Sequence, residues 1–331
     1  MKVIRGLLTL LVVLGVAMAP ATVVRVDAQA GKSIRVAYPV QTHGAHMVVL
    51  PRFAEKHGLK LEMTPMRRYA DLQLALTTNQ VDVAAIGYVN VGLMEEAGFQ
   101  DYKVVAGVFT GAQSLTLAKD VKATSWKDLE GLRLGTAPNS YAELLFKSTA
   151  KANGADISKI KTVSFAAAGP PMLAALKSRD IDGFVSWEPN NAGAALGGYG
   201  YYSSLDIAAN DTRGVNGALA VNSKYAADHA DAVLALVRAL IDSTNHLNSH
   251  PDEYAEIAQR ATGSAMPIVR ESMKHGVLDY RLYQKEGEAL LELIHEAGIT
   301  KRATVGAIEK HFDYQYLMKA TGKSRTELGG R

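Results

Sequence analysis

Two hydrophobic periods alternate along this chain. Short runs with strand character, such as Ile34-Arg35-Val36-Ala37-Tyr38, are separated by stretches whose apolar residues recur every three or four positions. In the first third the pattern predicts strands at 34–38, 60–63, 81–86 and 102–109, with helices at 44–57, 71–78 and 91–97. Pro39 ends the first strand, and Gly58 stops the first helix. This βαβαβ order predicts an open, largely parallel sheet with helices on both faces. A second unit comes next, with strands at 115–117, 133–135 and 161–165 and helices at 140–153 and 171–178. The strand 217–221 is expected to return to the first unit. Helical periodicity then continues over 230–249, 251–262, 267–274, 283–297 and 304–316, a tail suited to packing back on the first sheet. The fold class is therefore α/β in two lobes: 31–114 plus 220–331 form a discontinuous first lobe and 115–219 the second. Two crossing strands would act as a hinge that permits closure.

One pattern occurs twice, about a hundred residues apart. Ala75-Leu76-Thr77-Thr78-Asn79-Gln80-Val81-Asp82 precedes the apolar Val83-Ala84-Ala85-Ile86, and Ala175-Leu176-Lys177-Ser178-Arg179-Asp180-Ile181-Asp182 precedes Gly183-Phe184-Val185-Ser186. Each reads as the end of an amphipathic helix, a polar turn and a buried strand. The spacing suggests two similarly built lobes rather than a solenoid, whose periods run to roughly 20–50 residues. Asp82 and Asp182 suit a structural role at the helix-to-strand turn. The residues just past each strand would face an interlobe cleft: Tyr88 and Asn90 in the first copy, Trp187 and Glu188 in the second.

Composition narrows the class. With 331 residues, 48% hydrophobic and 21% charged, the chain has material for about two ordinary globular cores. Lys2 and Arg5, the apolar run 6–19 and the small-x-small triplet Ala28-Gln29-Ala30 predict an export signal over residues 1–30. A cut after Ala19 would leave Pro20 next, which disfavours it. The apolar run is shorter than the roughly 20 residues that span a bilayer, so no membrane anchor is expected. The chain has no cysteine, hence neither a lipid-attachment thiol nor a disulfide framework. Beyond residue 30 the charges nearly cancel, 33 basic against 32 acidic. No basic block interleaved with aromatics occurs, so nucleic acid is not an expected partner.

Catalytic signatures are missing. There is no G-x-S-x-G elbow, and the two Gly-Lys-Ser triplets lack the upstream glycine of a P-loop. His43 and His46 lie three apart with no third ligand nearby, so no metal and no cofactor are expected. Binding chemistry is better represented, all of it at expected strand ends. Gln41-Thr42-His43 follows the first strand, Arg67-Arg68-Tyr69 the second and Tyr88 and Asn90 the third; Gln113-Ser114 lies at the crossover. Arg67 or Arg68 would grip a carboxylate, sulfonate or phosphate in a two-pronged fork; the alternative is that both are solvated. Asn139-Ser140-Tyr141 opens a helix whose free N–H groups favour an anion, although Ser140 and Glu143 also match a capping box. Gly169, before Pro170-Pro171, offers a similar helix start and allows close approach. Trp187 suits stacking on a ligand or plain packing. Glu188 either accepts hydrogen bonds from a ligand, caps a helix beginning at Asn190, or fixes the hinge.

The export signal, the paired Ala-Leu-x-x-x-x-Val/Ile-Asp segments, Trp187-Glu188-Pro189 and Asn248-Ser249-His250-Pro251-Asp252-Glu253-Tyr254 together resemble one family. It is the periplasmic solute-binding proteins of nitrate, sulfonate, taurine and bicarbonate ABC transporters, which includes binders of thiamine-pyrimidine precursors. The likeness runs over residues 34–316. It implies a type II periplasmic binding fold, clamshell closure on a small-molecule ligand, permease and ATPase partners, a periplasmic monomer and no enzyme activity. Carried over by position, ligand contacts fall on His43, Arg67, Arg68, Tyr69, Tyr88, Gln113, Ser114, Asn139, Ser140, Tyr141, Gly169, Trp187 and Glu188, with Asn216 a further candidate. Taurine and alkanesulfonate binders often carry small residues where this chain has Met66-Arg67-Arg68-Tyr69. That difference suggests a small organic anion with a flat or aromatic part, of the sulfonate or aromatic carboxylate class. Nitrate, bicarbonate or a pyrimidine precursor are the other ligands the resemblance allows. A periplasmic sensor subunit would need the same closing lobes. Enzymatic relatives that make the thiamine pyrimidine carry a cysteine-rich motif, which this chain lacks.

Overall fold

The computed structural model describes residues 33–331 except 139, 167, 209–211 and 213; the expected export signal and Asn139 lie outside the described residues. The chain begins with β1 (Ile34–Pro39), α1 (Ala45–Ala54), β2 (Leu61–Met66), α2 (Tyr69–Thr77), β3 (Val83–Gly87), α3 (Tyr88–Glu96) and β4 (Tyr102–Gly111). It then builds a second sheet: β5 (Gln113–Ala118), β6 (Arg133–Thr136), α4 (Tyr141–Ala152), β7 (Lys161–Ser164), α5 (Pro170–Ser178), β8 (Gly183–Trp187), α6 (Asn190–Leu196) and β9 (Gly200–Tyr202). Strand β10 (Val215–Asn222) returns to the first sheet. After it come α7 (Ser223–Asp228), α8 (Ala230–Ser249), α9 (Pro251–Thr262), α10 (Met266–Ser272), β11 (Gly276–Leu278), α11 (Gln284–Glu296), α12 (Gly306–His311) and α13 (Gln315–Thr321).

The strand orders are β11-β4-β10-β3-β1-β2 and β7-β6-β8-β5-β9. Each sheet has a parallel trio, β2-β1-β3 in one and β7-β6-β8 in the other. The largely parallel sheet expected from sequence is in fact mixed, because β10 runs antiparallel to β3 and β4, and β5 antiparallel to β8 and β9. Chain direction explains this. The parallel strands end where the chain crosses between sheets, so a strand arriving from the other sheet starts at that end and must run back.

Burial follows the sequence pattern. β3 is buried along its whole length and β10 all but its last residue, as strands covered on both faces require. At the edge, β2 alternates between half-buried and exposed positions and tolerates Pro65, whose missing N–H faces no neighbouring strand. The long helix α8 buries Val233, Leu236, Val237 and Leu240, one stripe at helical spacing. Some elements differ from expectation. The helix expected at 304–316 is two helices, broken where Phe312 bridges to Val104 and the Asp313 N–H donates to the Val104 carbonyl at 2.8 Å. The short strand β11 carries no period long enough to detect, and it adds to the sheet edge beside β4.

The sequence repeat is an Arg–Asp fork built twice. Asp82 Oδ2 accepts from the Arg35 backbone N–H at 3.0 Å and its Nε at 3.2 Å, while Arg35 Nη2 reaches Oδ1 at 2.6 Å. Asp182 does the same for Arg133, at 2.9, 3.0 and 2.9 Å. Each fork ties the first strand of a parallel trio to the third at the end remote from the interlobe loops. The helix-to-strand turns beside them hold Asn79 and Arg179 in left-handed conformation, φ 58° and 64°. Hydrogen bonding from Arg133 holds the Asp182 carboxyl below its ordinary range. A carboxyl depressed on folding contributes stability above the unfolded pKa of about 3.9 and loses it as pH falls through the folded value. Melting curves of Asp182→Asn should therefore show a lower Tm than the wild type at pH 7 and a gap that closes on acidification toward pH 3. A gap independent of pH would deny the fork a charge role.

Candidate functional site

Between the two sheets, at the carboxyl ends of their parallel strands, lies a cleft divided by Trp187. On one side, a chamber of about 240 Å3 is lined by Arg68, Tyr69, Ala70, Ser140, Ala166 and Trp187, among others. It opens between the first turns of α2 and α4. Residue Arg68 is the N-cap of α2 in extended conformation, and Ser140 is the N-cap of α4. The leading N–H groups of a helix have no intrahelical acceptor, and the helix dipole places positive potential there. Two such starts converge on this chamber.

Tyr69 adds a donor. The residue is 9% exposed, and its hydroxyl oxygen accepts from Gln41 Nε2 at 3.1 Å, which leaves the O–H proton to donate elsewhere. Burial pushes its pKa up, so the phenol stays protonated. The two arginines separate. Arg68 forks onto Asp71 in the first turn of α2, at 2.8 and 2.6 Å, so its charge is already matched. Among the described residues no carboxylate pairs with Arg67, which faces a second chamber of about 250 Å3 on the other side of Trp187. That chamber is also lined by Val40, Gly169, Leu173, Ser264 and Ile268.

Several expected contacts lie elsewhere. Tyr88 does not face the interlobe cleft as expected, because α3 begins directly after β3 and leaves no loop there. The Tyr88 ring is 1% exposed, packs edge-on to Phe312 at 5.4 Å, and its hydroxyl accepts the Tyr283 N–H at 3.3 Å. Asn90 closes the same turn, accepting the Gly87 N–H at 3.0 Å and donating to Gln73 at 2.6 Å. Gly87 must be small: a Cβ there would meet Asn90 Oδ1 at 3.0 Å, with the Tyr141 and Tyr69 rings just beyond. The Tyr141 hydroxyl donates to the Val215 carbonyl, a bond between α4 and β10. Thr42 bonds Ser272 at 2.9 Å, and His43 sits under Gly276 and near Phe109, fully buried. Burial pushes the His43 pKa down to about 4 and that of His46 to about 3, so both are neutral core groups. Asn216 Nδ2 donates to the Gly111 carbonyl at 2.9 Å and ties β10 to the crossover. Gln113 pairs in register with Trp187 and Ser114 with Ser186, so both belong to the second sheet.

Three placements refine the expectations from sequence. Ser140 accepts the Glu143 N–H at 3.2 Å, while the Glu143 carboxylate takes the Thr136 hydroxyl at 3.0 Å and Lys147 at 2.9 Å. The start of α5 is not the anion site suggested for it, because Pro170 and Pro171 fill its first two positions and carry no N–H; Gly169 precedes them at φ 137°. Glu188 is 0% exposed. One oxygen accepts the Tyr202 hydroxyl at 2.7 Å and the other the Ala192 N–H of α6 at 3.2 Å, the helix-capping alternative. Burial pushes its pKa up to about 8. Sequence reasoning missed Tyr202, whose ring also stacks on His275 at 3.9 Å, and the α9–α10 junction that closes the second chamber. Gly263, ending α9 at φ 71°, was the available signal for that junction.

Among the described residues no group of three or more His, Asp or Glu is placed to hold a metal ion, and no helix is long and apolar enough to cross a membrane. Comparison with curated proteins gives no match. Solved structures do match. The nitrate-binding protein NrtA of Synechocystis PCC 6803 superposes with a TM-score of 0.74 at 14% identity, over 88% of each chain. The alkanesulfonate-binding protein SsuA of Xanthomonas axonopodis pv. citri, bound to MOPS, gives 0.71 at 15% identity, over 86% of this chain and 99% of that one. A zinc-bound ligand-binding component of an ABC-type import system from Staphylococcus aureus gives 0.71 at 17% identity, over 89% and 100%. These likenesses establish a periplasmic-binding-protein fold with two α/β halves. The NMT1-like family profile covers residues 27–262, well over half the sequence, and the chain belongs to that family.

Proposed function

We propose that this protein is the substrate-binding component of an ABC importer, capturing a small organic anion of the sulfonate or aromatic carboxylate class between its two halves. Closure of the halves would enclose the ligand, and a membrane permease with its ATPase would receive it. One observation carries the reading: Arg68, Tyr69 and Ala70 at the start of α2 and Ser140 at the start of α4 line one chamber walled by Trp187. Backbone donors and aligned dipoles suit an acidic group, and an indole face suits a flat body. The fold shared with nitrate-, sulfonate- and other import-system binding proteins fits this use. An amine or pyrimidine ligand recognised by Glu188 fits less well, since that carboxyl is sealed and both its oxygens are occupied. In this reading Arg67, Arg68, Tyr69, Ser140 and Trp187 surround the ligand.

Titration calorimetry against a panel of small sulfonates and carboxylates tests the assignment. Replacing Arg67 and Arg68 together by alanine should weaken binding of the best ligand at least tenfold, about 1.4 kcal/mol, with little change in Tm. Unchanged affinity would return both to the solvated surface, and binding of nitrate or bicarbonate alone would refute the organic-anion assignment.

Glu188 supplies a separate check that it is a structural anchor. A carboxyl raised on folding from about 4.3 to about 8 contributes stability fully present below the unfolded value and lost as pH rises through the folded one. The wild-type Tm should therefore fall between pH 5 and 8.5 relative to that of Glu188→Gln. Parallel curves would show that Glu188 is already ionised when folded.

A further inference from the structure

The two chambers are halves of one cleft. Arg68 lines the first and its neighbour Arg67 the second; Ala166 lines the first and Ala168 the second; Trp187 walls both. Their chemistry differs. The first has the start of α2, with Tyr69 and Ala70 in its lining, and the α4 cap Ser140, whose N–H donates to the Ala137 carbonyl at 3.0 Å. The second has the start of α5, stripped of donors by two prolines, apolar groups from Val40, Leu173 and Ile268, and polar ones from Arg67, Asn190, Thr262 and Ser264. Gly193, inside α6, also lines the second chamber. Neither backbone conformation nor crowding demands glycine there: its φ is not left-handed, and a Cβ at this position would have Leu173 Cδ1 as its nearest neighbour at 3.5 Å, an ordinary contact. Alanine would form the helix better. The missing side chain leaves room.

We propose that the ligand is an amphiphilic anion lying across Trp187, with its acidic group at the starts of α2 and α4 and its apolar body in the second chamber, where Gly193 sets the length accepted. This rests on the organic-anion reading above and deepens it. Arg67, at the edge of the second chamber, adds long-range attraction, and the apolar walls reward each added carbon of the body.

The test is titration calorimetry with short and long probes of one head group: methanesulfonate against naphthalene-2-sulfonate, and acetate against 2-naphthoate. In at least one series the wild type should bind the long probe tenfold or more tightly than the short one. Gly193→Leu, which adds a side chain to the wall of the chamber, should cut the long-probe affinity at least tenfold and leave the short probe within twofold. Leu173→Asp, which adds a charge to the same wall, should give the same selective loss if a melting curve shows the variant folded. Equal affinity for short and long probes, or long-probe binding untouched by both substitutions, overturns the proposal while leaving the organic-anion reading standing. Failure of the wild type to bind any of the four overturns both.

Discussion

The Arg–Asp fork, made once in each sheet, is the constraint on which the rest of the architecture depends. Arg35 with Asp82 and Arg133 with Asp182 fasten the first and third strands of each parallel trio at their amino ends, side chain to side chain and side chain to backbone. The acids are largely buried, 16% and 15% exposed, while both guanidinium groups are 42% exposed, so the forks are partly solvated and hold the strands chiefly through the carboxylate bonds to the backbone N–H groups. With that end fixed, the opposite strand ends are free to carry loops of different length and chemistry. The scaffold repeats and the site need not.

That division explains how the cleft acquires its polarity. The same strand-to-helix turn is built in two ways. After β3 the helix begins at once, and Tyr88 and Asn90 are drawn into packing and capping. After β2 and β6 a few residues intervene, and the starts of α2 and α4 are presented to the cleft. Where α5 begins, two prolines withdraw the backbone donors. One cleft thus has a half built on the starts of α2 and α4 and a half of mixed lining, with Val40, Leu173 and Ile268 beside Arg67 and Ser264, divided by the indole of Trp187 at the end of β8. Glu188, next in sequence, turns away from the cleft to hold α6 and Tyr202.

Much of this was legible in sequence, for identifiable reasons. Central strands are largely apolar and tail helices carry long stripes, so element type and the two-sheet layout could be read from periodicity. The repeat located Asp82 and Asp182 as structural and marked strand ends as the site. Side-chain direction was less accessible. His43, Tyr88 and Asn216 sit at strand ends yet point into the core, because a one-residue change in where a helix starts rotates a side chain from cleft to interior. Antiparallel insertion of β5 and β10 depends on which end of the sheet the chain crosses, which no local pattern encodes. Tyr202 and the α9–α10 junction reach their places through tertiary packing, about which their neighbours in sequence say little.

The central claim is that the acidic group of the ligand rests on the starts of α2 and α4. A crystal structure with naphthalene-2-sulfonate, its sulfur located by anomalous scattering, tests this most directly. The account predicts sulfonate oxygens at hydrogen-bond distance, about 3 Å, from the leading backbone N–H groups of both helices and from the Tyr69 hydroxyl, with the ring system beyond Trp187. A sulfonate on Arg67 in the second chamber, with the rings at the helix starts, would contradict it.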